Sequence, residues 1–519
     1  MASRDPGRPN VLLILSDDQG HWAMGCAGNP EIRTPHLDAL AARGIRFSRF
    51  FCTSPVCSPA RASLFTGELP SQHGVHDWLS YHHAGRTGID FLAERTLFTD
   101  LLADAGYRLG LSGKWHLGAN DRPRKGFVHW YAHESGGGPY YGAPMYRDAV
   151  RTEEPRYLTE ALGEDAAGFL SAEAEHPEPF HLSLHFTAPH KPWRGQHPRE
   201  FTDLYADCAF SSCPQGPPHP WQPVDEDGSP VGGESDTREA LVGYFAATTA
   251  MDAAIGRVLE RLDELGLTES TLVVFTSDNG FNAGHHGIWG KGNGTFPQNM
   301  YDSSVIVPCL ISQPGRIPGG RHCDALLSQY DVLPTLVEYL GLDHTHDPAL
   351  PGRSFADILA GTDASGPEAA GADRERVVVY DEYGPVRMIR TRDWKYVHRY
   401  PHGPHELYHL AADPGEEHDL AEDPAHAATR IDLASRLDAW FARYVDPALD
   451  GSRLPVTGSG QRTPVTPGAL PTAFEPGPSA GGDHQLGLVG AALPGVEHHR
   501  QARAGLPQRQ PDPARDGQL

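Results

Sequence analysis

One short segment combines a thiol, a proline and a guanidinium at fixed offsets: Cys57, Pro59 and Arg61. A short helical pattern follows over residues 60–66, and Gly67 closes it. A cysteine just before a helix start lies where unpaired backbone N–H groups and the helix dipole favour negative charge. Arg61, one turn into the helix, adds a permanent positive charge. The segment therefore predicts a site that handles an oxyanion.

Two pairs of oxygen-bearing side chains each end an apolar strand pattern. They are Asp17 and Asp18 after NVLLILS, and Asp278 and Asn279 after TLVVFTS. Continuous apolar runs are typical of strands buried on both faces of a parallel sheet, and α/β folds bind ligands at the carboxyl ends of such strands. Turn or cap chemistry explains one of these residues well but two dyads poorly. Since the side chains offer only oxygen, the pattern favours a hard divalent cation, calcium first and magnesium second.

Lysine and histidine side chains occur in three further segments. They are Lys114 and His116 in GKWHLG, His190 in APHKPW, and Lys291 in the glycine-rich loop that ends at Gly294. Glycines around Lys114 and His116 allow close approach of the backbone to a ligand. Prolines on both sides of His190 place it on a stiff extended segment, which favours a functional over a structural role. Together with Arg61, the two lysines predict a locally basic pocket in an acidic chain.

These motifs, in this order, resemble the type I sulfatase family, whose fold is alkaline-phosphatase-like. The resemblance covers nearly all of residues 10–446. It implies an α/β fold with a large mixed, mostly parallel sheet sandwiched by helices, and a smaller C-terminal antiparallel-sheet subdomain. It also implies an arylsulfatase-like hydrolase that cleaves the S–O bond of an aryl or carbohydrate sulfate ester, giving an alcohol and inorganic sulfate.

The resemblance further implies that a maturation enzyme oxidises Cys57 to formylglycine, whose hydrated aldehyde attacks sulfur with one hydroxyl. The second hydroxyl then loses its proton and expels sulfate as the aldehyde re-forms. The implied metal ligands, for Ca²⁺ or alternatively Mg²⁺, are Asp17, Asp18, Cys57 in its oxidised form, Asp278 and Asn279. The implied catalytic residues are Arg61 for stabilising the diol, Lys114 and Lys291 for the sulfate oxygens, His116 for the second hydroxyl, and His190, with Lys291, for protonating the leaving oxygen.

The alcohol portion of the substrate is not readable from the sequence, so sugar and aryl sulfates remain equally open. Candidate lining residues of a substrate pocket are Tyr81, His82, Trp193, His286 and Trp289. One departure from the family pattern concerns the segment after the lysine loop, which is commonly a glycine-rich YEGG-like sequence. Here Tyr301 and Asp302 precede Ser303 and Ser304 in place of glycines. The departure puts the shape of the pocket in doubt, not the reaction.

Two other functions are compatible with the same residues. A phosphonate or phosphate ester hydrolase is the nearer alternative, because tetrahedral anions of sulfur and phosphorus look alike to Arg61 and the lysines. A non-catalytic protein that binds sulfate esters is the second, and it would follow if Cys57 stayed a thiol.

Composition limits the classes of binding partner and the cellular compartment that we expect for this protein. The chain has 519 residues and a formal net charge of −24, and no basic tract offers a surface for nucleic acid. No apolar run is long enough to span a membrane, and the polar N-terminus lacks a signal-peptide core. The seven cysteines show no CxxC or zinc spacing, which predicts unpaired thiols. We therefore expect a cytoplasmic protein that acts on a small molecule, with no membrane or nucleic-acid partner.

The sequence divides into three regions. Residues 1–366 are predicted to form the catalytic domain, and residues 374–448 a C-terminal α+β subdomain with short antiparallel strands and one helix. Residues 449–519 are rich in Gly, Pro, Ala, Gln and Arg, without periodicity, and are predicted to be a disordered tail. The sequence does not indicate an oligomeric state.

Overall fold

A large mixed β-sheet forms the centre of the molecule. The computed structural model describes residues 8–80, 88–224, 230, 236–345, 347–361, 374–380, 385–452, 460–465 and 471–474. The strands of this sheet are β1 (Asn10–Ser16), β2 (Ile45–Phe51), β3 (Arg108–Gly113), β4 (Phe127–His133), β5 (Ala143–Arg147), β6 (Val150–Glu154), β7 (Phe180–His185) and β8 (Thr271–Ser277). A short hairpin of β9 (Asn282–Ala283) and β10 (Trp289–Gly290) follows outside it, and β11 (Ile306–Ser312), β12 (Arg321–Cys323) and β13 (Leu327–Ser328) complete the sheet.

The strand order is β12-β2-β11-β8-β1-β7-β3-β4-β5-β6, with β13 also paired to β2. Strands β8, β1, β7, β3 and β4 are mutually parallel, whereas β11 runs antiparallel to both of its neighbours. The predicted mixed, mostly parallel sheet is therefore confirmed. Among the described residues, no helix is long and apolar enough to cross a membrane.

Helices cover both faces of the sheet, which explains the unbroken apolar runs of the central strands. Val11, Leu13 and Leu15 of β1 pack into one hydrophobic cluster, while Leu12 and Ile14 pack into another on the opposite face. The helices are α1 (Pro35–Ala42), α2 (Cys57–Thr66), α3 (Pro70–His73), α4 (Phe98–Asp104), α5 (Leu158–Glu173), α6 (Arg199–Thr202), α7 (Thr237–Glu264), α8 (Asp302–Val305), α9 (Val332–Leu340) and α10 (Ala356–Ala360).

A second, four-stranded antiparallel sheet follows in the C-terminal part of the chain. It consists of β14 (Val377–Tyr380), β15 (Val386–Arg390), β16 (Trp394–Arg399) and β17 (Glu406–His409), and the helix α11 (Ala427–Tyr444) comes after it. The sheet is bonded to the main domain: Lys395 Nζ donates to Met300 O (2.9 Å), and Tyr380 N donates to Thr53 O (2.8 Å). The predicted C-terminal subdomain is present, and all seven cysteines are unpaired thiols.

Part of the segment beyond Leu449 makes specific contacts. Residues 460–465 lie against residues 74–80, where Leu79 and Gln461 form a parallel β-bridge. Leu449, Val465, Ala473 and Phe474 form a small buried cluster. These residues depart from the prediction of a disordered tail, because a few apolar and amide side chains find partners that composition alone does not reveal.

Candidate active site

The two predicted oxygen-rich dyads meet at one edge of the main sheet. Strands β1 and β8 are neighbours in register, with Ser16 opposite Ser277, so the residues that follow them are brought together. Asp18 N donates to Asp278 Oδ1 at 3.3 Å, and Asn279 Nδ2 donates to Asp18 Oδ1 at 2.8 Å. The carboxyl ends of these strands therefore hold Asp17, Asp18, Asp278 and Asn279 in one buried cluster, as the sequence predicts.

Helix α2 delivers the cysteine and the arginine to the same cluster. Cys57 is the first helical residue, after an extended Val56, and every residue of the helix is buried. Arg61 Nε donates to Asp278 Oδ2 (2.9 Å), and its Nη1 donates to Lys114 O (2.8 Å). The thiol thus lies at a helix N-terminus beside fixed positive charge, an environment that favours an anion.

Two lysines complete the positive side of the site. Lys114 Nζ, which follows β3, lies 2.6 Å from Asp17 Oδ2 and 3.8 Å from Asp278 Oδ2. Lys291 Nζ lies 2.6 Å from Asp18 Oδ1 and 3.7 Å from Cys57 Sγ. The site therefore pairs three buried cations, these lysines and Arg61, with the three carboxylates.

The pKa values of the three carboxylates are shifted in different directions. Burial acts to raise the pKa of Asp278, but Arg61 and Lys114 outweigh it and hold that pKa below its ordinary value. Lys291 likewise lowers the pKa of Asp18 against the effect of burial. The pKa of Asp17 is instead raised well above its ordinary value, by burial and by the neighbouring carboxylates, despite Lys114. Asp17 is therefore the carboxylate with the least compensated negative charge.

His116 is held by its neighbours in one tautomer. Its Nε2 lies 3.1 Å from Leu79 O, and because a carbonyl oxygen only accepts, Nε2 carries the proton. Nδ1 is then the basic nitrogen, and it has no hydrogen-bond partner among the described residues. Burial, followed by the charge of Lys114, lowers the pKa of His116 well below its ordinary value. The ring is thus neutral, and Nδ1 is able to accept a proton.

His116 and Asp18 also share a strained backbone. Their φ angles are 56° and 60°, in the left-handed region that residues with a Cβ seldom adopt. Both residues follow strands that end at the site, and such strain is commonly retained where a side chain must be aimed at a reacting group.

His190 approaches the cluster from the segment after β7. Its Nδ1 donates to Lys191 O at 2.6 Å, and its Nε2 lies 3.7 Å from Asp18 Oδ2. Burial lowers the pKa of His190 to about 4, although the Asp18 carboxylate acts in the opposite direction. The side chain is 22% exposed, so His190 stands at the solvent-facing side of an otherwise enclosed site.

The residues present fit a hard divalent cation. The donors from the strand ends are carboxylate and amide oxygens, and Asp17 Oδ1 is a buried oxygen without a hydrogen-bond partner among the described residues. Ligand atoms of Asp17, Asp18 and His190 lie within 4.8 Å of one another. His190 Nε2 faces the Asp18 carboxylate at the border of this donor set, while one oxygen of Asp278 is engaged by Arg61.

The predicted substrate pocket is only partly supported. Tyr81 and His82 lie outside the described residues. Trp193 and Trp289 are 2% and 4% exposed and pack with Phe281 in a buried aromatic cluster, and Trp289 also borders a cavity beside Phe210 and Leu241. His286 is half-buried and stacks on Tyr301 with ring centroids 3.8 Å apart.

The serines that replace the family's glycines have structural partners. Ser304 Oγ donates to Asn299 Oδ1 at 2.7 Å, and Asn299 Nδ2 donates to Lys291 O at 3.0 Å. Ser303 Oγ donates to Asn282 Oδ1. The two hydroxyls therefore brace the loop that carries Lys291.

A glycine run that sequence reasoning left unassigned packs directly on the two histidines. A Cβ on Gly136 would lie 2.1 Å from Cε1 of His116, and one on Gly137 would lie 3.0 Å from Cε1 of His190. Neither glycine has a positive φ, so the backbone conformation does not require glycine at these positions. The reason for glycine is the lack of space for a side chain next to the two histidine rings. The signal in the sequence was the run ESGGG itself, which lacks the periodicity of a helix or a strand.

We expect Gly136→Ala to lower kcat by about a hundredfold, because the new methyl group displaces the His116 ring by a distance on the order of 1 Å. The measurement is the steady-state kinetics of a chromogenic aryl sulfate. Gly168→Ala in α5 is the control, since a Cβ there meets nothing within 4 Å. An unchanged kcat in Gly136→Ala would show that the loop yields without moving His116.

Comparisons with known proteins agree with this geometry. The profile of the family described as "Sulfatase" matches residues 9–342, and the profile "N-sulphoglucosamine sulphohydrolase, C-terminal" matches residues 284–442. The chain is 31% identical to the ulvan-active sulfatase of Formosa agariphila, over 85% of this chain and 83% of that protein. It is 30% identical to human arylsulfatase A, over 85% of this chain and 92% of that protein.

The fold is also similar to a solved structure of a different ester hydrolase. The phosphonate monoester hydrolase of Agrobacterium radiobacter matches with a TM-score of 0.65 and 25% identity. The match covers 85% of this chain and 96% of that one.

Proposed function

The chain belongs to the sulfatase family and is an enzyme that hydrolyses sulfate esters of carbohydrates or aryl compounds, and from this premise we propose how its own residues carry out the reaction. We propose that residue 57 acts as formylglycine, formed from Cys57 by a maturation enzyme, beside a divalent cation held by Asp17, Asp18, Asp278 and Asn279. The observation that carries the proposal is the convergence of Cys57, three buried cations and these oxygen donors in one enclosed site.

The proposed formylglycine and the proposed divalent cation would supply complementary chemistry. A hydrated formylglycine would supply a hydroxyl nucleophile, and a divalent cation held by Asp17, Asp18, Asp278 and Asn279, calcium in our proposal, would supply Lewis-acid chemistry to the sulfate group and to that hydroxyl. The oxygen-only donor set and the unpartnered Asp17 Oδ1 support such an ion.

Lys114, Lys291 and Arg61 bind and neutralise the sulfate group. The ammonium groups of Lys114 and Lys291 lie next to Asp17 and Asp18, respectively, and are fixed by buried ion pairs. Arg61 Nη2 is buried and has no hydrogen-bond partner among the described residues, so it retains a donor for an oxyanion. Fixed donors in a buried site stabilise developing charge without reorganising, which is often the largest catalytic contribution.

The two histidines move protons at defined atoms. His116 accepts a proton at Nδ1, since its Nε2 proton is committed to Leu79 O. His190 delivers a proton only from Nε2, since its Nδ1 proton is committed to Lys191 O. Burial disfavours the protonated form of His190, whereas the charges of Asp18 and of a bound sulfate ester favour it. We assign His190 to the leaving oxygen because it stands at the exposed side of the site.

The substrate in this proposal is a small sulfate ester, either a sugar sulfate or an aryl sulfate. The names of the ulvan-active and aryl-acting relatives support both classes. The likeness to a phosphonate monoester hydrolase supports a second candidate, hydrolysis of phosphonate or phosphate esters by the same residues.

One panel tests both candidates. Purified protein is assayed on sulfated sugars, an aryl sulfate, and the matched aryl phosphate and phosphonate, with released anion measured directly. We expect the highest kcat/KM on a sulfate ester. A preference for phosphorus across the panel would replace the first candidate by the second.

The state of residue 57 is tested separately. Peptide mass spectrometry is expected to show loss of sulfur from Cys57 and gain of an aldehyde that reacts with a hydrazide probe. A protein that retains the thiol, binds sulfate esters and turns none over would instead be a non-catalytic binding protein.

A further inference from the structure

Gln461, in the C-terminal segment, is fully buried, and both its backbone and its side-chain amide form hydrogen bonds. Gln461 N donates to Trp78 O (2.8 Å), and Gln461 O accepts from Ser80 N (3.0 Å). Its side-chain Oε1 accepts from His76 N (2.8 Å), and its Nε2 donates to Gly74 O (2.9 Å). One residue thus fixes the backbone of residues 74–80 over seven positions.

Leu79, which lies between the two residues paired with Gln461, is the residue that holds His116. Leu79 O accepts from His116 Nε2 at 3.1 Å. Leu79 N donates to Ser58 Oγ at 3.1 Å, and Ser58 Oγ donates to His116 O at 3.0 Å. The backbone of Leu79 therefore contacts both the His116 ring and, through Ser58, the second residue of helix α2.

We propose that residues 460–465 form a strap that positions His116, with Gln461 as the positioning residue that acts through the Leu79 carbonyl. The inference rests on the catalytic role proposed for His116. The strap lies beyond residue 442, where the match to the second family profile ends.

The physical effect is on the tautomer and orientation of one ring. With Leu79 O in place, the His116 proton stays on Nε2 and Nδ1 remains the acceptor. When residues 78–80 lose their pairing with Gln461, that carbonyl is no longer held at 3.1 Å from the ring, and the fraction of correctly oriented, correctly protonated imidazole falls. Binding of the sulfate group by the lysines does not depend on this contact, so the effect falls on kcat and not on KM.

The test uses the full chain and two point variants. Gln461→Ala is expected to lower kcat on the best sulfate ester by about a hundredfold, the cost of a displacement on the order of 1 Å at a catalytic group, with KM unchanged. Thr463→Ala is the matched control, because its side chain is exposed and only its carbonyl contacts Gln461. An unchanged kcat in Gln461→Ala overturns the proposal.

A double-mutant cycle separates positioning from general loss of structure. In a His116→Ala background, Gln461→Ala is expected to cause no further decrease in the residual kcat, because the ring it positions is gone. Equal losses in both backgrounds would mean a structural role and overturn the proposal.

Truncation provides an independent pair of variants. A chain that ends after Phe474 keeps the strap and is expected to keep full activity. A chain that ends after Ser452 lacks the strap, and its kcat is expected to fall by as much as that of the Gln461→Ala variant. Equal activity of the two truncated chains would contradict the inference while the proposed function stands. An inactive full-length protein with oxidised residue 57 would contradict the proposed function itself.

Discussion

Replacing Cys57 by alanine is expected to lower kcat on sulfate esters by about a thousandfold or more, because alanine lacks the thiol that the proposed maturation converts to an aldehyde, so no nucleophile forms at residue 57. The fold should be retained. Alanine has the highest helix propensity, Cys57 is the first residue of helix α2, and its thiol contacts Lys291 Nζ at 3.7 Å. The free energy of unfolding should therefore change by no more than about 1 kcal/mol.

Cys52→Ala is the matched control for this experiment. Cys52 is a second buried thiol, five positions earlier, and burial raises its pKa far above the ordinary value. Its Sγ donates to the backbone oxygen of Ser304 at 3.9 Å, so its removal is expected to leave kcat within about twofold of the parent protein. Kinetics and thermal melts are compared for the three proteins. Substantial turnover by Cys57→Ala would place the nucleophile elsewhere.

Replacing Asp17 by asparagine should abolish tight metal binding and, with it, at least about a hundredfold of the activity. Asp17 combines an unpartnered buried oxygen with a pKa that is raised well above its ordinary value, so it is the carboxylate that a divalent cation would compensate most. Asparagine keeps the shape but removes the charge. Bound metal is counted by elemental analysis after dialysis.

A readout independent of activity is thermal stability. Ligand that binds only the folded state raises the melting temperature, so calcium titrated into chelator-treated parent protein should raise it, and calcium added to Asp17→Asn should not. Asp252→Asn is the control: Asp252 is also buried, accepts from Leu37 N at 2.8 Å, and its pKa is raised to about 7. A calcium-induced shift of equal size in Asp17→Asn would remove Asp17 from the ligand set.

The position of the dyads was predictable because it follows from pairing rules. The two buried, mainly apolar strands β1 and β8 lie side by side and parallel, so the residues that follow them, Asp18 and Asp278, meet at the same edge of the sheet. Likewise, the helix start at Cys57 and the glycine-flanked Lys114 each carry a local signal. The order of the motifs led us to expect these residues in one site, and in the structure Asp18, Asp278 and Arg61 are in contact.

Other features depend on contacts that no local pattern encodes. The sequence does not distinguish an aromatic residue that lines a pocket from one that fills a core. In the structure Trp193 packs against Phe281 in the core. Gly136 has no unusual φ, so only the His116 ring above it explains the glycine. Gln461 sits in a stretch of low-complexity composition, and its partners lie more than 380 positions earlier in the chain.

The complete burial of helix α2 limits when residue 57 is accessible to another enzyme during biosynthesis. All ten of its residues are enclosed, and Arg61 at its centre is bonded to Asp278, a residue made more than two hundred positions later. The maturation enzyme that we propose for residue 57 has to reach a side chain that the folded protein encloses. We therefore expect the proposed oxidation to precede closure of the sheet around helix α2, and we expect overproduction that outruns the oxidising enzyme to yield folded but inactive protein.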